Sequence, residues 1–318
     1  MRALYKRECI VKLKPKYPIY IPSKQRSHIN LTPKFLTDDG VPFSLVVEPD
    51  DYDAYAAKFG EACLLTLPEN GRGLVFARNW IFEHAVASGH ERHWQIDDNI
   101  RRIRRWYHGK RYACDAAIAL RASEDFTDRY ENVALSGLNY TMFAVWKAPP
   151  FILNAHVYSC TLILNALTNR FRDPIFPQPA NEDVDMCLQV LADGWCTIQF
   201  NAFLQEKMPT MVVDGGQTDS AYHDDNRLAM GRSLERAWPG VVTVKRRFQR
   251  PQHMIHSTWQ KFDTPLKRKP GLTFDSAPNE YGMTMTKVTG KRPSLSGQAW
   301  HDARARKKAK RARTAGDT

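Results

Sequence analysis

The sequence predicts an α/β fold, a mixed and mostly parallel sheet flanked by helices. Three observations carry this. Over roughly the first 270 residues, short apolar runs alternate with helix-period patterns, as in successive β–α–β units. Glycines close the helical patterns, at Gly40, Gly60, Gly89 and Gly194. The 318 residues are 43% hydrophobic and 11% aromatic, enough for a sizeable core, which excludes a disordered, collagen-like or disulfide-scaffold chain.

The elements follow in order. YPIYIPS (17–23) reads as a first strand. Thr32 then reads as a helix N-cap, with Pro33 at the first helical position. PFSLVVE (42–48) is a second strand, and 50–59 a short helix with Tyr52, Tyr55, Ala56 and Phe59 on one face. CLLTL (63–67) is a third strand. Leu74 to Ser88 is helical, with Ala77, Ile81 and Ala85 at i, i+4 and i+8. HWQI (93–96) is a fourth strand. After a basic stretch, 113–132 reads as a long helix, and 141–147 and 151–166 as strands or mixed structure. Asn181 is the expected N-cap of a helix whose Val184, Cys187, Leu188 and Leu191 share a face, and CTIQFNAF (196–203) alternates like a half-buried strand. Periodicity is lost from about 271, and the ARARKKAKRARTAG tail reads as disordered in isolation.

The net charge is +12, and the excess is clustered. Residues 1–34 carry nine basic residues against one acid, and 304–313 carry seven. Two more clusters are Arg101, Arg102, Arg104, Arg105, Lys110 and Arg111, and Lys245, Arg246, Arg247 and Arg250 with further lysines and arginines up to 269. One such cluster is an ordinary solvated face. Four in one chain favour a polyanion partner, because each neutralised phosphate releases condensed counterions. None of the six cysteines forms a C-x-x-C pair, and most lie in apolar runs, as thiols do in a reducing compartment. No stretch is long and apolar enough to span a bilayer, and the basic N-terminus lacks a signal-peptide core, so a cytoplasmic, non-membrane protein is expected.

Two acidic constellations carry the chemistry. In WQIDDNI (94–100) a short strand delivers Asp97, Asp98 and Asn99 at its carboxyl end, where open α/β sheets bind ligands. Adjacent carboxylates repel unless a cation joins them, and hard oxygens suit Mg²⁺ or Mn²⁺ on a diphosphate. Alone, such a pair is more often a turn. Arg78 lies at a helix start near that edge, where a guanidinium fits a diphosphate. Glu182 and Asp183 open the helix after Asn181, where the dipole keeps a carboxylate ionised and able to accept a proton from an alcohol. Simple complementation of that dipole would place acids there equally well.

The succession IYIPSKQR, SLVVEPDDYDAY, LPENGRGLVFARN, WQIDDNI, NEDVDMCLQVL and VVDGG resembles the TET/JBP-associated glycosyltransferases, GT-A-type enzymes found largely in bacteriophages. The resemblance covers roughly 17–265 and implies a GT-A-like, Rossmann-type domain over 17–270, with a nucleotide-sugar half at 17–110 and an acceptor half at 111–270. Residues 1–16 would be a basic extension and 271–318 a basic tail. It implies transfer of a sugar from a UDP-sugar to the hydroxymethyl group of 5-hydroxymethylcytosine in double-stranded DNA, coupled to a TET/JBP-type oxygenase. By position it implies nucleotide-sugar contacts at Ser23, Arg26, Glu48, Arg78 and Asp97. It implies a divalent cation (Mn²⁺ or Mg²⁺) at Asp97, Asp98, Asn99 and a histidine, of which His253 is first choice over His223 and His256. Asp183 would be the catalytic base, with Glu182 second; the basic clusters would hold DNA phosphates. One departure is that the metal motif reads Asp-Asp-Asn rather than Asp-x-Asp.

Competing readings are a GT-A enzyme acting on a protein or glycan, and a non-catalytic DNA-binding protein on the same scaffold. A polymerase or nuclease would need a third carboxylate at the metal, and the sequence offers no obvious one.

Overall fold

A computed structural model describes residues 13–29, 31–107, 109–144, 148–172, 181–208, 227–247, 250–255, 262–273 and 277–284. The chain divides into two compact units, Met1–Thr273 and Phe274–Thr318. In the second, the described residues form a turn in which Gly282 N–H donates to Asn279 O at 2.8 Å. The tail at 304–313, His223 and His256 lie outside the described residues.

The N-terminal half follows the sequence closely. It contains β1 (Ile19–Pro22), α1 (Thr32–Asp38), β2 (Ser44–Val47), α2 (Tyr52–Phe59), β3 (Leu64–Thr66), α3 (Gly73–Ala87) and β4 (Arg92–Ile96). Ala77, Ile81 and Ala85 of α3 pack on Tyr20, Val46 and Leu67, as their spacing requires. The opposite side of α3 also finds a core, with Val75 and Phe82 against Leu135, Ile163, Met186 and Val190. The helix is therefore sandwiched rather than half-exposed.

The second half departs more. The expected long helix is α4 (Ala116–Thr127), capped by Asp115, whose side chain accepts from the Ala117 and Ile118 N–H groups. The basic stretch before it is a hairpin, β5 (Ile100–Tyr107) and β6 (Lys110–Ala113). Ile100 and Ile103 are buried while Arg101 and Arg102 face solvent. Charged side chains suit an edge, where they discourage further strand pairing. Then comes β7 (Val133–Tyr140), which the sequence reading passed over because Ser136, Gly137 and Asn139 interrupt its apolar run. Residues 141–143 form a turn, not a strand, and 145–147 lie outside the described residues. The remainder is β8 (Phe151–Leu153), β9 (Cys160–Leu164), α5 (Glu182–Ala192), β10 (Cys196–Lys207), α6 (Arg227–Ala237), β11 (Val242–Arg247) and β12 (Arg250–Ile255).

One sheet holds β3-β2-β1-β4-β9-β7-β10-β5-β6 in that order, with β8 also on β10. The pairings make β1, β2, β3, β4, β6, β7 and β10 run one way, and β5, β8 and β9 the other. The carboxyl ends of β1, β2, β4, β7 and β10 therefore share one edge with the start of β9. Gly137 permits the tight centre of this sheet. A Cβ there would stand 2.2 Å from the Cys160 carbonyl oxygen and 2.5 Å from Val157 Cγ1. The β11–β12 hairpin and α6 pack on α5 through Val184, Leu188, Leu234 and Val242.

Two caps differ from expectation. Thr32 is the first residue of α1 and not its cap. Its hydroxyl donates to Asp97 O at 2.6 Å and accepts from Ile100 N–H at 2.9 Å, so it pins the loop after β4. Asn181 precedes α5 in a left-handed conformation with no side-chain cap bond; its carbonyl accepts from Asp185 N–H.

Candidate active site

The shared carboxyl edge delivers Ser23 after β1, Glu48 after β2, Asp97 and Asp98 after β4, and Lys207 at the end of β10. Asp97 and Asp98 face different partners. Asp97 Oδ2 accepts from Lys207 Nζ at 2.6 Å, and its Oδ1 accepts from Arg78 Nη2 at 3.2 Å. Lys207 Nζ also donates to Ser159 Oγ at 2.8 Å. Burial alone would raise the Asp97 carboxyl, but Lys207 and Arg78 outweigh it and hold the group below the usual carboxylate range. Asp98 instead accepts from Ser23 Oγ at 2.7 Å and Arg26 Nη1 at 3.0 Å. There burial wins over Arg26 and the carboxyl is pushed up. Ser23 Oγ lies 2.6 Å from the Tyr55 hydroxyl, which accepts from Arg26 N–H at 3.0 Å. Glu48 pairs with Lys24 at 2.8 Å.

Arg78 is buried and spent on protein groups. Its Nε donates to Glu182 at 3.1 Å and its Nη1 to Gln95 Oε1 at 3.2 Å, besides the bond to Asp97. The two acidic constellations thus meet through one guanidinium. This arginine, read as a diphosphate ligand, acts in this structure as the clamp between them.

Glu182 and Asp183 differ sharply. Burial pushes the Glu182 carboxyl up despite Arg78. The Asp183 side chain is 30% exposed, and its Oδ2 lies 3.3 Å from His156 Nε2. Burial would raise it too, but His156 and Arg78 outweigh that and hold it well below the usual carboxylate range. Asp183 lines a small, largely apolar crevice with Arg78, Gln95, Ser159, Leu135, Val157 and Met186. Of this adjacent pair, Asp183 is the more exposed and the one held lower.

His253 is drawn toward the same neighbourhood. Burial lowers its pKa, His156 lowers it further, and Asp183 opposes them. The expected metal set of Asp97, Asp98, Asn99 and His253 is not brought together in this arrangement. Among the described residues no group of three or more histidine, cysteine or acidic side chains is placed to hold a metal ion. The reason is visible at β4: consecutive residues point to opposite partners, Asp97 to Lys207 and Asp98 to Arg26. Asn99 Oδ1 is buried without a hydrogen-bond partner.

Of the basic residues, Arg101 and Arg102 are exposed, as are Lys245, Arg246, Arg247 and Arg250 at the tip of the β11–β12 hairpin. Arg104 is committed to Glu206 at 2.9 Å, and the Arg105 guanidinium lies 5.4 Å from the Tyr107 ring centre. Lys207, Ser159, His156 and Gln95 were absent from the sequence reading. Lys207 had no local signal, because the expected strand ended at 203 and the real one runs on to Lys207.

A sheet whose carboxyl edge carries converging acids above a crevice defines a ligand-binding α/β enzyme. Residues 17–216 match the TET-Associated Glycosyltransferase family, and the chain belongs to it. It is accordingly a glycosyltransferase. No curated protein is similar to it at a significant level. Among solved structures, a protein of Desulfovibrio desulfuricans G20, assigned as a nucleotide-diphospho-sugar transferase, is 10% identical with a TM-score of 0.39. The alignment covers 70% of this chain and 96% of that one; at this level of similarity it says nothing about the site.

Proposed function

We propose that the protein moves a sugar from a UDP-sugar to the hydroxymethyl group of a 5-hydroxymethylpyrimidine in DNA, 5-hydroxymethylcytosine first. The observation that carries this reading is the Arg78 bridge between Asp97 and Glu182, which sets Asp183 into one crevice with the carboxyl end of β4. The family's name, TET-associated, supports an acceptor alcohol made by a TET-type oxygenase. The +12 charge and the exposed arginines of two hairpins favour a nucleic-acid acceptor over a neutral glycan.

In this reading Ser23, Arg26 and Glu48 border the donor, and Lys207 and Arg78 hold positive charge where the diphosphate departs. Asp183, ionised and partly open, accepts the proton of the attacking hydroxymethyl group, while His156 fixes its orientation. Glu182, buried against Arg78, positions rather than reacts. The target base turns out of the stack to expose its hydroxyl. Four carboxylates (Asp97, Asp98, Glu182 and Asp183) face three cations (Arg26, Arg78 and Lys207), and a diphosphate adds further negative charge. A divalent cation, Mn²⁺ or Mg²⁺, therefore fits the chemistry of the edge. Asn99 Oδ1 is buried without a partner, and an Asp97 or Asp98 oxygen would have to leave Lys207 or Arg26 to hold the ion beside it. When bound it would supply Lewis-acid charge to the leaving diphosphate.

Incubating hydroxymethylcytosine DNA with a panel of UDP-sugars and Mn²⁺, then weighing the nucleosides, tests this. A hexose-sized mass gain on the modified base is expected. Glycosylation of a protein or oligosaccharide with none of DNA would overturn the acceptor.

A further inference from the structure

We propose that the surface running from Tyr140 to the β5–β6 hairpin is a seat for an unpaired nucleic-acid strand, with Phe143 as a base-stacking platform. The inference rests on the DNA-acceptor reading above and deepens it.

The turn after β7 presents Met142 and Phe143, 59% and 56% exposed, where most large apolar side chains of this protein are buried. Side chains of this size are favoured inside, so a pair left open next to Tyr140 marks a contact surface. The turn is tied to both of its flanks. Arg111 of β6 donates to Thr141 O, and its guanidinium lies 5.6 Å from the Trp106 ring centre. The Phe143 ring stands 5.5 Å from Tyr140, whose hydroxyl lies 2.9 Å from Ser159 Oγ. Ser159 meets Lys207, and Lys207 meets Asp97. A chain of contacts thus links Ser159 of the crevice to Phe143 through Tyr140, and Thr141 ties the same turn to Arg111 and Trp106.

Charge selects the occupant. Residues 100–113 contain six arginines and lysines and no acid, which suits a phosphate backbone and opposes a cationic or neutral protein face. Aromatic and apolar faces interleaved with arginine engage the flat faces of bases, and a duplex hides those faces. The surface therefore favours a strand that is locally unpaired, as it is next to a base turned out for reaction.

The test uses the full chain and fluorescent 12-nucleotide oligonucleotides, single-stranded and duplex, read by anisotropy. Wild type is expected to bind the single strand more tightly than the duplex. Phe143→Leu keeps apolar bulk but removes the ring, and should weaken single-strand binding about tenfold while changing duplex binding less than about twofold. Phe143→Trp should restore single-strand affinity. Arg101→Gln with Arg102→Gln should weaken both forms alike and flatten the salt dependence. Equal single-strand affinity for wild type and Phe143→Leu, with the arginine effect intact, would overturn the platform and leave the DNA reading standing. No binding of either form by wild type would sink both.

Discussion

The Arg78 guanidinium joins Glu182 and Asp97, residues from opposite ends of the site, through bonds of 3.1 and 3.2 Å. It lies in the protein interior with Gln95 as its third partner, so its removal leaves Glu182 without its paired counter-charge and Asp97 with Lys207 alone. Breaking a buried pair in this way typically costs about 3–5 kcal/mol. Arg78→Met should lower unfolding stability by an amount of that order in urea titration and abolish transfer. Arg78→Lys, with a single point charge, should recover only part of the stability. A loss below about 1 kcal/mol for the methionine variant would show that the carboxylates do not depend on it.

Lys207 and Asp97 form the second pair, and a double-mutant cycle isolates it. Lys207→Met and Asp97→Asn should each destabilise the protein. The double variant should cost less than the two losses added, by about 1–3 kcal/mol of coupling. Lys207→Met should also raise the donor KM, because the cation at the diphosphate position is gone. Additive losses would place the two side chains in independent roles.

The pH dependence has two opposite parts. Asp97 and Asp183 are held below the ordinary 3.8, so their ion pairs contribute stability above that value and lose it as pH falls through the lower folded pKa. Glu124 behaves inversely. Burial pushes its carboxyl from 4.5 up to about 7, against hydrogen bonds from Lys16 N–H, Trp94 Nε1–H and Tyr17 N–H. Between those values the unfolded chain releases its proton first, so stability falls as pH rises from about 4.5 to 7, by about 3 kcal/mol in total from this group. Denaturation at pH 5, 6, 7 and 8 should show that decline in wild type and a flatter profile in Glu124→Gln. Identical slopes in the two proteins would contradict the assignment.

Gly137→Ala should be disproportionately harmful for one methyl group. The new Cβ would meet the Cys160 carbonyl at 2.2 Å, a backbone atom of β9 that cannot swing aside. Overpacking of this kind costs about 1–3 kcal/mol or more, and here it would also push Ser159 away from Lys207. A circular-dichroism melt and a transfer assay on the variant should both fall; an unchanged melting temperature would show that the sheet yields easily.

Much of the N-terminal half was legible because each strand there is a compact apolar run and each helix ends on a glycine. Ala77, Ile81 and Ala85 announced α3, and Asp97 and Asp98 announced the end of β4. The centre of the sheet was not legible. The β7 run carries Ser136, Gly137 and Asn139, whose polar atoms are satisfied only by distant partners, Thr127 for Ser136 and Tyr158 and Asn201 for Asn139. Local pattern cannot reveal that. The β5–β6 hairpin hid behind its arginines, because an edge strand need bury only Ile100 and Ile103. Of the site, the acids were visible as types at strand and helix ends. Their partner Lys207 was not, since the expected strand stopped at 203 and the real one runs on to the active edge. The opposite fates of Glu182 and Asp183 depend on Arg78 and His156, which no spacing shows.

The most direct measurement is the rate of glycosylation of hydroxymethylcytosine DNA by Asp183→Asn beside wild type, with UDP-sugar binding followed by calorimetry on the same preparations. Loss of general-base function should slow transfer about 10²- to 10⁴-fold while donor affinity stays within a few-fold. An Asp183→Asn protein that transfers sugar at the wild-type rate would contradict the assignment of the proton to this carboxylate, and with it the mechanism proposed for the crevice.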